Sequence, residues 1–216
     1  MTDALQNHLN KIYPVSRETI DRLERYFELL KQWQSKTNLV APSTLDQFWS
    51  RHVADSLQLL TIAPKGRHWT DIGSGGGFPG LVLAIVMAQV AKETDEPTSV
   101  RLVESIQKKC AFLRRVGVET GIPVEVQAQR IESATKQIEA GEIITARALA
   151  SLPKLLDLTG MYLTGSRRAL FHKGREYLSE LEDSRGMWKF DLLVHESKIV
   201  SDSVVLEISN VERRLD

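Results

Sequence analysis

The stretch Asp71–Gly80, D-I-G-S-G-G-G-F-P-G, places five glycines in ten positions directly after a run that reads as a β-strand. So much glycine is entropically costly, so main chain rather than side chain must lie against something there. Three ligand classes compete. A phosphate-cradling loop needs G-x-x-x-x-G-K-[ST]; Gly75 and Gly80 have the spacing, but Leu81 and Val82 follow where the lysine and hydroxyl belong. A dinucleotide fingerprint, G-x-G-x-x-G, is formally met by Gly75, Gly77 and Gly80. Asp71 argues against it, because a carboxylate aimed at a pyrophosphate is repulsive in a partly desolvated site. The same carboxylate suits a ligand bearing an ammonium or sulfonium group, and S-adenosylmethionine bears both. Glu104 closes the next strand-like run, "RLVE", where an acidic side chain can accept hydrogen bonds from ribose hydroxyls. Asp71 and Glu104 on adjacent strands, flanking bare main chain, predict an S-adenosylmethionine-dependent methyltransferase. An NAD(P)-dependent oxidoreductase is the alternative from another class.

These residues need a scaffold, and the patterning supplies one. Ser16 reads as the N-cap of a helix whose apolar stripe is Ile20, Leu23, Phe27, Leu30 and Trp33. Ser43 and Asp46 read as a capping box opening a second helix that reaches about Leu60. From Arg67 the pattern becomes strand-like runs at 68–72, 99–104, 124–129, 142–149 and 167–172, separated by helical stretches. Such alternation predicts right-handed βαβ crossovers and a parallel sheet covered on both faces. The last two runs, at 191–200 and 203–211, follow each other too closely for a crossover and predict a hairpin with one antiparallel strand. The expected fold is therefore α/β, a Rossmann-like class I methyltransferase sheet of about seven strands. Residues 1–65 form a helical portion packed on a cofactor-binding unit of residues 66–216.

Composition narrows the setting. Basic and acidic residues balance at 28 each, so any nucleic-acid contact must come from a local basic face. The N-terminus lacks the apolar core of a signal peptide, and the longest apolar run, Gly80–Ala91, is too short to span a bilayer. Cys110 is the only cysteine; no disulfide framework is possible, and the cytoplasm is the expected compartment.

Absences narrow the chemistry. No Pro-Pro occurs, as an [ND]-P-P-[FYW] clamp for exocyclic amines would require. Cys110 sits mid-helix on the apolar side with Ile106 and Leu113, a structural thiol rather than a nucleophile. No convergent carboxylate set suggests a metal. What remains is a substrate already nucleophilic, which the enzyme need only align with the methyl group.

The chain resembles the RsmG methyltransferases, also called the glucose-inhibited division protein B family. The likeness rests on "TNLV" (Thr37–Val40), "RHVADSL" (Arg51–Leu57), "DIGSGGGFPG", "RIES" (Arg130–Ser133), "TARALASL" (Thr145–Leu152) and "HKG" (His172–Gly174), in that order. It implies methylation of N7 of one guanine, position 527 in the 530 loop of 16S ribosomal RNA; another RNA, a protein or a small molecule is the alternative substrate. It further implies cofactor contacts at Gly73, Phe78, Ile131, Glu132 and Arg147, beside the Gly75, Gly77, Asp71 and Glu104 read above. Arg147 and Lys173 are expected to position the substrate, Arg147 serving either the methionine carboxylate or the target nucleotide; no general base is assigned. Ala146 stands where other members often carry serine. Arg51, His52 and Asp55 are expected to wall the substrate side, with Arg51 and His52 contacting the RNA, and Lys108, Lys109, Lys173 and Arg175 to meet RNA phosphate. The expected partner is 16S rRNA within the small subunit or its precursor, the expected state a monomer, with no metal and no membrane.

Overall fold

In the computed structural model, which describes residues 2–214, seven strands form one sheet. They are β1 (His68–Ile72), β2 (Ser99–Glu104), β3 (Glu125–Ala128), β4 (Ile143–Arg147), β5 (Arg168–Lys173), β6 (Trp188–Glu196) and β7 (Val204–Arg213). Their order is β3-β2-β1-β4-β5-β7-β6. Neighbours from β3 to β5 are parallel, while β7 runs antiparallel between β5 and β6. The chain reverses direction across the sheet between β1 and β4, and that switch point opens a crevice beyond the strands' carboxyl ends.

The helices are α1 (Thr2–Asn10), α2 (Arg17–Gln34), α3 (Ala54–Ile62), α4 (Gly80–Thr94), α5 (Gln107–Thr120), α6 (Thr135–Glu139), α7 (Leu152–Thr159) and α8 (Tyr177–Met187). They cover both faces. One core gathers Leu9, Tyr26, Phe48, Trp69, Leu83 and Phe112 on the side of α1–α5; the other gathers Ile72, Ile144, Leu156, Phe171 and Trp188 on the side of α6–α8. The N-terminal helices thus extend a core of the sheet rather than building one of their own.

Ser16 caps α2 as expected, its hydroxyl accepting from the Thr19 amide at 3.1 Å. Ile20, Leu23, Tyr26 and Leu30 face the core, while Phe27 and Trp33 flank it half-buried. The capping box expected at Ser43 and Asp46 does not form. Pro42, whose fixed φ and missing N–H suit a first helical turn, starts a 3₁₀ segment (Pro42–Gln47) behind Ala41 instead. A π-helical turn (Phe48–Val53) follows, closed by the Ala54 amide on the Trp49 carbonyl. Such turns shift side chains around the helix axis and recur at functional sites; this one carries Arg51 and His52. The fourth strand-like run stops at Arg147, because Ala148 takes φ +51° and turns the chain over the crevice. Among the described residues no helix is long and apolar enough to cross a membrane.

Candidate active site

A cavity of about 840 Å³ opens at the carboxyl ends of β1, β2, β4 and β5. Its floor is the glycine turn. The Gly73 amide donates to the Val103 carbonyl at 2.8 Å, which ties the turn to β2, and Gly75 takes φ +55° with little around its Cα to obstruct a ligand. Gly73, Gly75 and Gly76 line the cavity. Gly77 faces away from it: a Cβ there would strike Leu81 and the Tyr26 hydroxyl, so its bare main chain serves packing.

Asp71 lies beneath the turn, not on its cavity face. It is 1% exposed; Oδ1 accepts from the Thr145 hydroxyl at 2.8 Å, and Oδ2 lies against the Gly80 main chain without a hydrogen bond of ordinary geometry. The reason is register, since Asp71 pairs Leu102 on one side and Thr145 on the other and points into the layer under α4. Burial pushes its carboxyl up to about 6 against the pull of the Thr145 hydroxyl. Any effect of Asp71 on a ligand therefore passes through the turn.

Glu104 does line the cavity, at 6% exposure. Oε2 accepts from the Gly75 amide at 2.9 Å and Oε1 from the Ile106 amide at 2.8 Å. Each oxygen keeps a lone pair, which suits a pair of vicinal hydroxyls. Farther out, Gln129, Arg130, Ile131 and Glu132 supply a wall of main chain and one apolar side chain after β3. These features fit an adenosyl nucleoside.

Across the cavity Arg147 is the hub. Its guanidinium donates to His52 Nδ1 at 2.7 Å and to Asp55 Oδ2 at 3.2 Å, and lies 5.1 Å from the centre of the Phe78 ring. His52 stacks on Phe78 with ring centres 4.6 Å apart. Burial, then Arg147 and Arg51, lower the His52 pKa to about 4, so the ring is neutral at pH 7. Nδ1 accepts from Arg147, so the proton is assigned to Nε2, which lies 3.0 Å from the Thr44 hydroxyl. That hydroxyl in turn donates to the Ala41 carbonyl. His172 donates through Nε2 to the Asp55 carbonyl, and burial lowers its pKa too. Asp55 is the residue that composition and spacing undervalued, for it ties Arg147 and His172 into one unit.

Lys173, expected to reach RNA phosphate, is turned inward at 7% side-chain exposure. It pairs with Glu180 and donates to the Ala150 carbonyl at 2.9 Å. The Glu180 carboxylate also accepts from the Leu152 amide at 2.6 Å, so the pair clamps the loop between β4 and α7. Arg51 and Lys109 stand at the cavity, Arg175 is exposed beside it, and Lys108 faces the other way, into a separate groove. Arg130 and Lys154 also line the rim, although neither lies in a doublet that the sequence made conspicuous.

A family model described as rRNA small subunit methyltransferase G matches residues 19–205. The chain belongs to this family. It is 45% identical over 214 residues to ribosomal RNA small subunit methyltransferase G of Brucella anthropi, covering 99% of this chain and 98% of the relative. It is 48% identical over 200 residues to the enzyme of that name from Chelativorans sp., covering 93% of each. Among solved structures, MtNAS in complex with S-adenosylmethionine shares the fold at TM-score 0.55 and 13% identity, over 96% of this chain and 77% of that one. A ribosomal protein methylase from Lactobacillus delbrueckii shares it at 0.52 and 16%, over 73% and 77%. The class I methyltransferase fold expected from the alternating pattern is the one observed.

Proposed function

We infer that this protein is an S-adenosylmethionine-dependent methyltransferase of small-subunit ribosomal RNA that acts on guanine N7, and that its target is position 527 in the 530 loop. Family membership supports the reaction and substrate class; the position follows from the motif resemblance. S-adenosylmethionine, when bound, supplies an electrophilic methyl group on a sulfonium. The main chain of Gly73, Gly75 and Gly76 would carry its amino-acid end, Glu104 its ribose, and the 129–132 wall with Ile131 and Glu132 its adenine. Phe78 and Arg147 stand between that site and the acceptor side.

The observation that carries the guanine-N7 reading is the commitment of His52. The imidazole beside the acceptor side is neutral, with both nitrogens bonded within the protein, so it is not free to take a proton from substrate. Guanine N7 needs no such step, because at neutral pH it is already a bare lone pair. Orientation then supplies the acceleration, and a rigid wall made by Arg147, Asp55 and Phe78 suits that task. RNA phosphate would be met by the rim cations Arg51, Lys109, Arg130, Lys154 and Arg175. We take the working form as a cytoplasmic monomer acting on the assembled or partly assembled subunit.

The test uses small subunits from a strain lacking this modification. Incubation with the protein and S-adenosylmethionine should make one guanine, in the 530 loop, cleavable after borohydride and aniline treatment. Cleavage at another guanine would move the target, and none would overturn the reaction.

A further inference from the structure

We propose that a second groove, on the far side of the segment joining α2 to the 3₁₀ turn, holds a single-stranded nucleotide flanking the methylated guanine. Its phosphate would lie on Lys36 and Lys108 and its base against Trp33. The proposal rests on the RNA reading above and adds a subsite to it.

The groove measures about 550 Å³ and is lined by Gln32, Trp33, Lys36, Thr37 and Lys108. Trp33 is half-buried, its inner side anchored on Phe112 with ring centres 5.7 Å apart while another part lines the groove. A ring fixed in this way loses little freedom when a base stacks on it, and stacking is indifferent to which base arrives. Lys36 and Lys108 are exposed, and among the described residues neither forms an ion pair. Several basic residues on these same helices are paired: Arg22 with Glu18, Arg25 and Arg115 with Glu119, and Lys31 with Glu28. Two uncompensated cations beside an anchored indole match the chemistry of a nucleotide, an anion joined to an aromatic ring.

Position links the groove to the active site. Lys108 lines the groove, and Lys109, the next residue of α5, lines the methyl-transfer cavity. Thr37 lines the groove, and Leu39, one residue beyond Asn38, lines the cavity. The dividing segment is rigid: the Gln34 side chain accepts from the Leu39 and Val40 amides at 3.1 Å each and donates to the Val40 carbonyl at 2.7 Å. A strand leaving the guanine site would cross this ridge and descend onto Trp33.

The test compares wild type, Lys36→Ala/Lys108→Ala, Trp33→Leu and the control Lys65→Ala, an exposed lysine just before the amino end of the central strand β1. Methyl transfer to unmodified small subunits is followed over a salt series, with S-adenosylhomocysteine affinity measured alongside. The lysine pair should raise KM at least fivefold, leave kcat within twofold, leave cofactor-product affinity unchanged, and reduce the log–log salt slope by about 0.7, the loss of one single-strand phosphate contact. Trp33→Leu should raise KM in the same direction; the lysine pair decides the matter if that variant folds poorly. An unchanged KM and salt slope for the lysine pair, with wild type active on subunits, overturns the subsite alone. A wild-type protein that leaves subunits unmethylated overturns the functional reading and the subsite with it.

Discussion

Arg147 donates to His52 Nδ1 across 2.7 Å, and both side chains rest on the Phe78 ring. An imidazolium has no acceptor, so this contact exists only while His52 is neutral. The folded-state pKa near 4 lies below the ordinary 6.5, so the unfolded chain binds the extra proton between those values. Stability from this group is complete above about 6.5 and is lost as pH falls toward 4. His172 shifts in the same direction. His52→Gln, whose amide can accept from Arg147 and donate to Thr44, should flatten the decline in melting temperature between pH 7 and 5. An identical decline in variant and wild type would assign it elsewhere.

Asp71 works against that slope. Its carboxyl is raised from 3.8 to about 6, so the folded protein binds the extra proton and stability falls as pH rises through that window. Removing the titration with Asp71→Asn should make the wild-type gain in stability from pH 4 to 6 steeper. Thermal denaturation at matched ionic strength reads this directly; a shallower profile would reverse the assigned sign.

Glu104 should govern cofactor affinity. Both its oxygens accept main-chain N–H bonds, and an amide at this position must turn an NH₂ toward one of those donors. Glu104→Gln therefore loses at least one bond, costing about 1–2 kcal/mol of stability, and weakens the acceptor pair offered to a ribose. Calorimetry should show S-adenosylhomocysteine affinity reduced tenfold or more. Unchanged affinity would mean that Glu104 serves only to hold the turn.

What was legible in the sequence followed from strong local signals. Strand periodicity placed β1 and β2 at their observed limits, Ser16 announced its helix, and the glycine turn pointed to the cavity floor. What was not legible depended on register and on contacts remote in sequence. Alternation along β1 does not say which way Asp71 points; the layer under α4 decides it. Lys173 resembled a surface cation because Glu180, its partner, arrives from α8. The 42–53 segment matched a capping pattern, yet Pro42 and the needs of the Arg147 network impose 3₁₀ and π turns that no helical periodicity reveals.

Two glycines of one turn should respond differently to the same substitution. At Gly80 a Cβ would lie 2.6 Å from Asp71 Oδ2 and 2.3 Å from Leu102 Cδ2, so two buried side chains must shift to admit it. Gly80→Ala should cost about 1–3 kcal/mol through overpacking. At Gly75 the obstacle is conformational, since φ is +55° and the nearest atom is an ordinary 3.7 Å away. Gly75→Ala should cost about 1–2 kcal/mol and weaken cofactor-product binding by placing a methyl group at the cavity floor. Denaturant midpoints and calorimetry separate the two; equal losses of binding would show that the turn responds as one unit.

Lys173 and Glu180 should behave as a coupled pair. Together they hold the Ala150 carbonyl and the Leu152 amide, and thereby the loop whose Leu149 side chain lies against Gly73. Lys173→Met leaves a carboxylate partly buried without its cation, and Glu180→Gln leaves a buried ammonium facing a neutral amide. Each single change should destabilise by about 3 kcal/mol, because an uncompensated buried charge costs more than the pair contributes. The double variant should lose less than the sum of the singles, with coupling of about 1–3 kcal/mol in a denaturation cycle. Methyl transfer should fall in all three, since the loop that closes over the glycine turn is loosened in each. Strict additivity would show that the two side chains support the loop independently and that their contact contributes nothing.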